Sequence, residues 1–522
     1  MGIRRSLSIA GSSQWALLLF GFIGMLLLPW YRYHLNPDAI GYFSVAETYA
    51  RGDFTHALNF YWAPLLSWLL VPFIKIGIDP LLSFRFVQYL LGFVFFVIFR
   101  NLCTLFPLRK EIQAFLLYTF APLLLYFVYS WVTPDLLWLC LFFGIFLILS
   151  DPRYADRRFS GLLTGVLGAL AYFARSLSFY LFPLYLLSAT VLWMLYGKNR
   201  KKLSLHFIIG LLSFAVLSAP WVMALSIRHG GFTISEAGNV NRSNDGVLVA
   251  YNDLPIYSRG LLPPTHAGAV SAWDDPSTIA RHDWSPFDSL STATLQLKAV
   301  VLNVIRFFQV VVPFFWLLPA LLGFYVLLAL PLRQALQKRP IVHFTLLAVG
   351  LNLAAYLPFL VEVRYFWPIP VLLLLVSGHL LSDLTQHGFL TPLRRNSAFV
   401  IIFISFTMMP VWFLLPHIDD GRVFHDQSVA LGQRYSLQGK RIAADHWKQG
   451  LYLSYYTGAR YYGQPELGAT SEKVRDELNQ YAIEYYLVFG EADKKIDNYH
   501  VINTINGVTL YQRTSTTNTP GD

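Results

Sequence analysis

The chain has 522 residues, of which 55% are hydrophobic and only 13% carry a charged side chain. That composition excludes a string of soluble domains, because apolar stretches long enough to cross a bilayer recur along the sequence. The net charge of +10 does not indicate nucleic-acid binding, since Lys and Arg cluster in the short segments between apolar stretches, as in cytoplasmic loops that meet anionic membrane lipids. The two cysteines, Cys103 and Cys140, give neither a disulfide framework nor a metal-ligand spacing.

Eleven membrane spans fit the sequence when the basic segments are kept on the cytoplasmic side. The first span follows Arg4 and Arg5 and is not followed by a small-residue cleavage site, so we expect it to remain uncleaved. The predicted spans cover roughly 13–30, 82–99, 112–129, 135–150, 160–175, 178–196, 205–226, 301–330, 341–361, 365–382 and 397–415.

The apolar segment 62–77 is too short for a spanning helix, and Pro64 and Pro72 interrupt it. Counting it as a span would also place the basic residues after the next span on the outer side, against the positive-inside rule. We therefore expect a helix that lies in the outer interface, with Trp62 and Trp68 as aromatic anchors.

The tail of the chain differs in composition from the rest, with charged residues, turn residues and short β-type runs. It also has a helix-type pattern over 471–481, for which Ser471 is the predicted N-cap. We predict a mainly α fold: a polytopic membrane helical bundle over residues 1–415 and a small α/β domain outside the membrane over 416–522. The outer regions are a first loop at 31–81, a turn at 130–134, a long loop at 227–299 and the tail after 416.

Two carboxylates are predicted at the outer membrane face. Burying a charge there costs free energy, so each one is expected to have a structural or functional role. Asp38 follows the first span in Pro-Asp-Ala-Ile-Gly-Tyr, and Asp135 stands where the fourth span begins. Each could cap the helix that follows it. Alternatively, one of them could deprotonate an acceptor hydroxyl or amine.

Three arginines, Arg85, Arg175 and Arg364, are predicted at the same membrane depth, each at the outer end of a span. Guanidinium groups match phosphate oxygens and would stabilise charge on a departing lipid phosphate. The alternatives are snorkelling to the headgroup region and, for Arg364, pairing with Glu362.

The long outer loop contains Trp273 and Trp284 beside Asp residues, a combination that suits a sugar site but is also common in loops. Its histidines, His229, His266 and His282, match no metal-binding spacing. The sequence has no Walker motif and no Gly-rich nucleotide loop, so a soluble nucleotide donor is not indicated.

Over about 13–415, the chain resembles the GT-C membrane glycosyltransferases, specifically the bacterial branch of protein O-mannosyltransferases and the lipid A aminoarabinose transferase. The resemblance rests on the order of these segments: Asp38-x-x-x-Tyr42 with Ala46 and Arg51-Gly52-Asp53, Pro64-Leu65-x-x-Trp68-Leu69, Arg85, Thr133-Pro134-Asp135, Gly161 to Arg175, and Glu362-x-Arg364-Tyr365 before Pro368.

The resemblance implies an inverting transferase of the bacterial inner membrane. It would move one sugar from a polyprenyl phosphate to lipid A, a glycan or a protein on the periplasmic face. It would contact membrane lipids and would not bind nucleic acid. No cofactor is implied with certainty, and a divalent metal remains compatible. The resemblance implies that Asp38 is the general base and that Asp135 either helps to position the acceptor or assists the base. The implied phosphate-binding residues are Arg85, Arg175, Arg364 and Tyr365, and the implied sugar or acceptor contacts are Tyr42, Glu362, Trp273 and Trp284.

Three positions depart from the family pattern. The proline pair of the interfacial helix is reduced here to Ala63-Pro64. Ala39 stands where many relatives have a second acidic residue, and Arg175 stands where many have Lys. Two other activities compete with the transferase interpretation. A lipid-linked glycan ligase or polymerase would use a similar donor, whereas a flippase would be expected to show internal repeats or charges near mid-bilayer, which the sequence lacks.

Overall fold

A computed structural model describes residues 2–244, 259–280, 284–329, 340–490, 496–505 and 507–514. The predicted fold class is confirmed, because the structure is mainly α-helical and carries a small C-terminal sheet. Seven helices among the described residues are long and apolar enough to cross a bilayer, and several shorter apolar helices accompany them. The protein is therefore a multi-pass membrane protein.

The α-helices of the described residues are, in chain order, α1 Gly2–Leu27, α2 Pro37–Ala50, α3 Phe54–Ala57, α4 Pro64–Lys75, α5 Pro80–Leu102, α6 Lys110–Tyr129, α7 Asp135–Leu149, α8 Ser160–Ala174, α9 Ser178–Leu195, α10 Arg200–His229, α11 Ala237–Asn244, α12 Leu290–Val310, α13 Leu318–Ala329, α14 Pro340–Tyr356, α15 Pro368–Gln386, α16 Pro392–Leu414, α17 Arg422–Tyr435, α18 Trp447–Thr457 and α19 Ser471–Gln480.

One predicted span, 301–330, is not a continuous helix in its described part. The helix α12 begins earlier, at Leu290, because Ser289 caps it by accepting a hydrogen bond from the Thr292 amide at 3.2 Å. It ends at Val310, and a short 3₁₀ turn, Pro313–Phe315, separates it from α13. Proline lacks an amide hydrogen and clashes with the carbonyl four residues earlier, so the helix breaks here.

The short apolar segment of the first loop does form a helix, α4, and Pro64 at its start suits the first helical position. Trp62, however, is not a membrane anchor, because only 5% of its surface is exposed. Its indole packs on Tyr42 and Trp273. A Cβ on Gly41 would lie 2.4 Å from that indole, so this contact between α2 and the indole requires glycine.

The C-terminal part of the chain forms a five-stranded sheet in the order β2-β1-β3-β5-β4. Strand β1 runs parallel to β2 and β3, and β5 runs antiparallel to β3 and β4. The predicted helix α19 is present, but its N-cap is Thr470 rather than Ser471. The strands are β1 Arg441–Ala444, β2 Arg460–Tyr461, β3 Tyr485–Phe489, β4 Tyr499–Ile505 and β5 Val508–Arg513.

The segment 30–36, which leads into α2, is held by residues from the end of α16 and from the C-terminal region. The Asp419 amide donates to the Trp30 carbonyl at 2.9 Å, and the Tyr452 hydroxyl donates to the Leu35 carbonyl at 3.0 Å. Tyr31 in turn donates to the Leu414 carbonyl at 2.7 Å. These contacts fix the position at which α2 begins.

Candidate functional site

A cavity of about 450 Å³ lies where several helices of the bundle end or begin. The ends of α8 and α14, the start of α7 and the turn before α15 contribute to its wall, together with α2, the loop residues 232–236 and α11. Of the ten residues predicted for the site, six line this cavity: Asp38, Tyr42, Asp135, Arg175, Arg364 and Tyr365.

Asp38 lies in the first turn of α2, directly after Pro37. Asp38 does not cap α2, so that predicted alternative is wrong. Asn36 occupies the N-cap position, and its side chain forms no capping hydrogen bond. The Asp38 carboxylate instead accepts a hydrogen bond from Arg364, with Oδ2 at 2.9 Å from Nη2. Its side chain is 25% exposed, so a molecule in the cavity can reach it.

Asp135 is the first residue of α7 and is also not a cap, since Pro134 holds that position without a side-chain bond. Its carboxylate accepts from the Thr133 hydroxyl and from the Arg175 guanidinium. Only 2% of the side chain is exposed. The two predicted carboxylates therefore differ: Asp38 faces the cavity space, whereas Asp135 is buried behind its partners.

Arg364 lies between the two carboxylates. It occupies the 3₁₀ turn Val363–Phe366, and its Nη1 is 3.7 Å from Asp135 Oδ2. Its Nε donates to Glu362 at 2.5 Å, which confirms that these two residues pair. The guanidinium also lies over the Tyr365 ring at 5.2 Å. Carboxylates on several sides thus fix the direction in which its remaining N–H groups can point.

Arg175 directly follows the last residue of α8, where the helix dipole favours a cation. It donates to the Tyr356 hydroxyl at 2.5 Å and lies 4.5 Å from the centre of the Tyr365 ring. Tyr356 and Tyr365 stack at 5.1 Å. A planar guanidinium held by stacked tyrosines and a carboxylate is rigid, which favours recognition of a tetrahedral anion.

No protein-family model matches the sequence, and neither does any curated protein. Solved structures do match. The structure of ArnT from Cupriavidus metallidurans bound to undecaprenyl phosphate is 12% identical over 96% of this chain and 98% of that chain, with a TM-score of 0.56. The Archaeoglobus fulgidus oligosaccharyltransferase in complex with Zn and sulfate is 13% identical over 91% of this chain and 67% of that one, with a TM-score of 0.54.

The chain has the GT-C fold. The resemblance inferred from short motifs is thereby confirmed at the level of fold, although identity near 12% carries no residue role with it. The likeness to ArnT extends over nearly the whole of both chains. The cavity that contains Asp38, Asp135, Arg175 and Arg364 therefore lies in a chain with this fold.

The predicted contact of Arg85 with a lipid phosphate is corrected. The side chain lies on α5, is completely buried, and donates from Nη2 to the His34 carbonyl at 2.6 Å. It does not line the cavity. The sequence indicated the end of the helix at which Arg85 lies but not the face of the helix it occupies.

Three further predicted residues lie outside the cavity wall. Glu362 acts on the site through its bond to Arg364. Trp273 lines a separate cavity of about 50 Å³ beside Trp447, between the long loop and residues of the C-terminal region. Trp284 stacks with Arg242, which does line the main cavity. The neighbouring His282 lies outside the described residues.

Sequence reasoning missed Tyr356 and the loop residue Glu236. Tyr356 ends α14 shortly before Glu362, and a polar aromatic residue at that end of a predicted span was a usable signal. Glu236 gave no such signal, because only the folded loop brings it to the cavity. Its amide donates to the Phe60 carbonyl at 2.8 Å, and the residue is 8% exposed.

The cavity carboxylates do not form a metal site as they stand. Asp38 and Asp135 are each bound by a guanidinium, so a divalent cation would have to displace Arg364 or Arg175. The donor set therefore fits an anion better than a metal ion. Among the described residues, the group of His and Asp side chains with convergent ligand atoms is His34, His417 and Asp420, which do not line the cavity.

Proposed function

We propose that this protein transfers a single sugar from a polyprenyl phosphate to an acceptor of the cell envelope, with inversion at the anomeric carbon. The acceptor is lipid A, a glycan or a protein. The membrane is the bacterial inner membrane, residues 1–415 form the catalytic domain, and the site and the domain 416–522 face the periplasm. The similar ArnT structure holds undecaprenyl phosphate, which supports the donor class.

The observation that carries this proposal is the bridge that Arg364 makes between Asp38 and Asp135 inside the cavity. It puts an accessible carboxylate and a cation side by side, as displacement of a sugar from a phosphate requires. The base takes a proton from the attacking group, and the cation stabilises the charge on the leaving group. Arg175, held by Asp135 and Tyr356, supplies a second cation in the same wall.

The proposed reaction is a direct displacement. The oxygen or nitrogen of the acceptor forms a bond to the anomeric carbon, while the bond from that carbon to the phosphate oxygen breaks. The electron pair leaves on the polyprenyl phosphate, where Arg364 and Arg175 stabilise it. The acceptor's proton moves to Asp38, and Oδ1 is the oxygen that receives it, because Oδ2 is bound to Arg364.

The two carboxylates have separate roles in this proposal. Asp38 is the base because it is exposed to the cavity, whereas Asp135 is a positioning residue that orients Arg175 and Arg364. Tyr42 and Tyr365 line the same wall and contact the sugar or the phosphate. Glu362 orients Arg364 rather than touching substrate.

The second candidate, a ligase or polymerase that transfers a whole lipid-linked glycan, would use the same base and cations. The cavity favours one sugar, because about 450 Å³ is at the low end of pockets that hold a single small ligand. A flippase would need a charged path across the bilayer. The described carboxylates and arginines of this site are instead gathered at helix ends.

The proposal is tested by mass spectrometry of the lipids that co-purify with the Asp38→Asn protein. Loss of the base blocks transfer but leaves the arginines in place, so the natural donor stays bound. We expect a polyprenyl phosphate that carries one sugar. A lipid-linked oligosaccharide or a diphosphate would indicate the ligase, polymerase or flippase activity. Recovery of bulk phospholipid alone would contradict the proposed donor class.

A further inference from the structure

A second cluster of chemically active side chains lies outside the cavity, where the segment 30–36 meets the end of the last long membrane helix. It consists of His34, His417 and Asp420, and one ligand atom from each lies within 4.8 Å of the others. The rings of His34 and His417 meet edge to face at 4.9 Å. These residues come from two parts of the chain far apart in sequence, so folding rather than local geometry brings them together.

Each histidine is oriented by a backbone carbonyl. Nε2 of His34 lies 3.2 Å from the Ser130 carbonyl, and Nδ1 of His417 lies 2.8 Å from the Phe413 carbonyl. A nitrogen that faces a carbonyl carries the proton, so the other nitrogen of each ring presents a lone pair. Histidines that bind metals are typically oriented in this way, with the second nitrogen donating to a carbonyl or carboxylate.

The free nitrogen of His34 faces a carboxylate. Its Nδ1 lies 3.2 Å from Asp420 Oδ2. With the Nε2 proton directed at Ser130, a neutral His34 would place a lone pair against a carboxylate oxygen at that distance. A cation between the two atoms removes this conflict. A second proton on the ring would also remove it, so a direct measurement of zinc binding is what distinguishes an ion from an imidazolium–carboxylate pair.

We propose that His34, His417 and Asp420 bind a divalent transition metal ion such as Zn²⁺. Two neutral imidazoles and one carboxylate are a ligand set that suits zinc, and water would complete a tetrahedral site. Neighbouring ligand atoms lie about 3.4 Å apart around tetrahedral zinc. The 4.8 Å cluster must therefore contract, and Asp420, whose side chain is 53% exposed, has the freedom to approach.

The ion would connect the segment that leads into α2 with the segment that joins α16 to α17. His34 precedes Asp38 by four residues, whereas His417 and Asp420 join α16 to α17 and the C-terminal domain. A metal bond at this junction would add to the hydrogen bonds that hold segment 30–36. The site is structural and does not depend on the donor or acceptor proposed above.

The test uses the full-length protein in detergent, purified without a polyhistidine tag, stripped with a chelator and then titrated with Zn²⁺ alone. We expect one equivalent bound per chain and a higher midpoint of thermal unfolding when the ion is present. Asp420→Asn and His417→Gln should each weaken zinc binding at least tenfold. They should also remove the visible absorption bands of the Co²⁺-loaded protein. His387→Gln, on an exposed residue away from the cluster, is the matched control.

Asp420→Asn keeps the test decisive if His417→Gln does not fold, because Asp420 is half-exposed. Failure of the wild-type protein to bind zinc would overturn the proposal and leave only an imidazolium–carboxylate pair. Equal zinc affinity in the wild type and in both cluster variants would overturn it as well. Neither result would affect the proposed sugar transfer, whose test is the trapped lipid.

Discussion

The surroundings of Arg364 and Arg85 show how differently one protein uses two buried guanidinium groups. Arg364 is 7% exposed and is surrounded by Asp38, Asp135 and Glu362. Arg85 is fully buried and donates to a backbone carbonyl, and its Nε and Nη1 have no hydrogen-bond partner among the described residues. The comparison shows that two buried arginines can differ in counter-charges and in access to a cavity, and this difference is why phosphate binding is proposed for Arg364 and not for Arg85.

The largest expected effect in the cavity region is that of Asp38→Asn. The amide keeps the size of the side chain but cannot take the acceptor's proton, so we expect transfer to fall about 100- to 10,000-fold. The measurement is sugar transfer by purified protein in detergent or nanodiscs. Asp79→Asn is the control, since Asp79 caps α5 by accepting from the Leu82 amide and does not line the cavity. Near-normal turnover of Asp38→Asn would remove Asp38 as the base.

A smaller effect is expected from Gly41→Ala, which disturbs the cavity wall without removing a charge. The new Cβ would lie 2.4 Å from the Trp62 indole and would force Trp62 away from Tyr42. We expect turnover to fall about tenfold, because an ångström-scale displacement of a site residue costs on that order or more. Gly350→Ala is the control, since nothing lies within 4 Å of its Cβ position. Unchanged turnover in Gly41→Ala would show that this wall does not position substrate.

The last prediction concerns stability rather than turnover. Asp274 holds the long loop on α2 by accepting hydrogen bonds from Ser44 and from the Val270 amide. Burial raises the pKa of Asp274 from 3.8 to about 6, even though these hydrogen bonds act to lower it. Because the folded state holds this proton more tightly than the unfolded state does, stability falls as pH rises through that window, by up to about 3 kcal/mol.

Asp274→Asn, which does not titrate, should lack this part of the pH dependence. The measurement is the midpoint of thermal unfolding of both proteins between pH 4 and pH 7. As pH rises to about 6, the unfolding midpoint of the wild type should fall relative to that of the variant. Above about pH 6, the two midpoints should change with pH in the same way. Parallel curves throughout would show that Asp274 keeps an ordinary pKa in the folded protein.

The sequence predicted the architecture well because the features that define it are local. Long apolar stretches and basic loops predict membrane helices, and ten of the eleven predicted spans correspond to one helix each. The failure at 301–330 also has a local cause, because Pro313 breaks the helix and Ser289 extends it backwards. The small C-terminal sheet likewise follows from short β-type runs between turn residues.

The site was predictable in its residue types but not in its pairings. Asp38, Asp135, Arg175 and Arg364 were selected as costly charges at helix ends, and the structure brings all four to one cavity. Their contacts depend on how helices rotate and pack, which sequence spacing does not specify. For the same reason Arg85 was assigned to the wrong environment and Glu236 was overlooked.

The most direct test of the account is equilibrium binding of a polyprenyl phosphate to the wild type, Arg364→Ala, Arg364→Lys and Arg85→Met in nanodiscs. We expect Arg364→Ala to weaken binding at least about tenfold, with partial recovery in Arg364→Lys, which keeps the charge but loses the planar guanidinium. Arg85→Met should bind within about threefold of the wild type, since the Arg85 side chain does not line the cavity. Equal binding by all four proteins, or a larger loss from Arg85→Met than from Arg364→Ala, would contradict the assignment of this cavity to the donor phosphate.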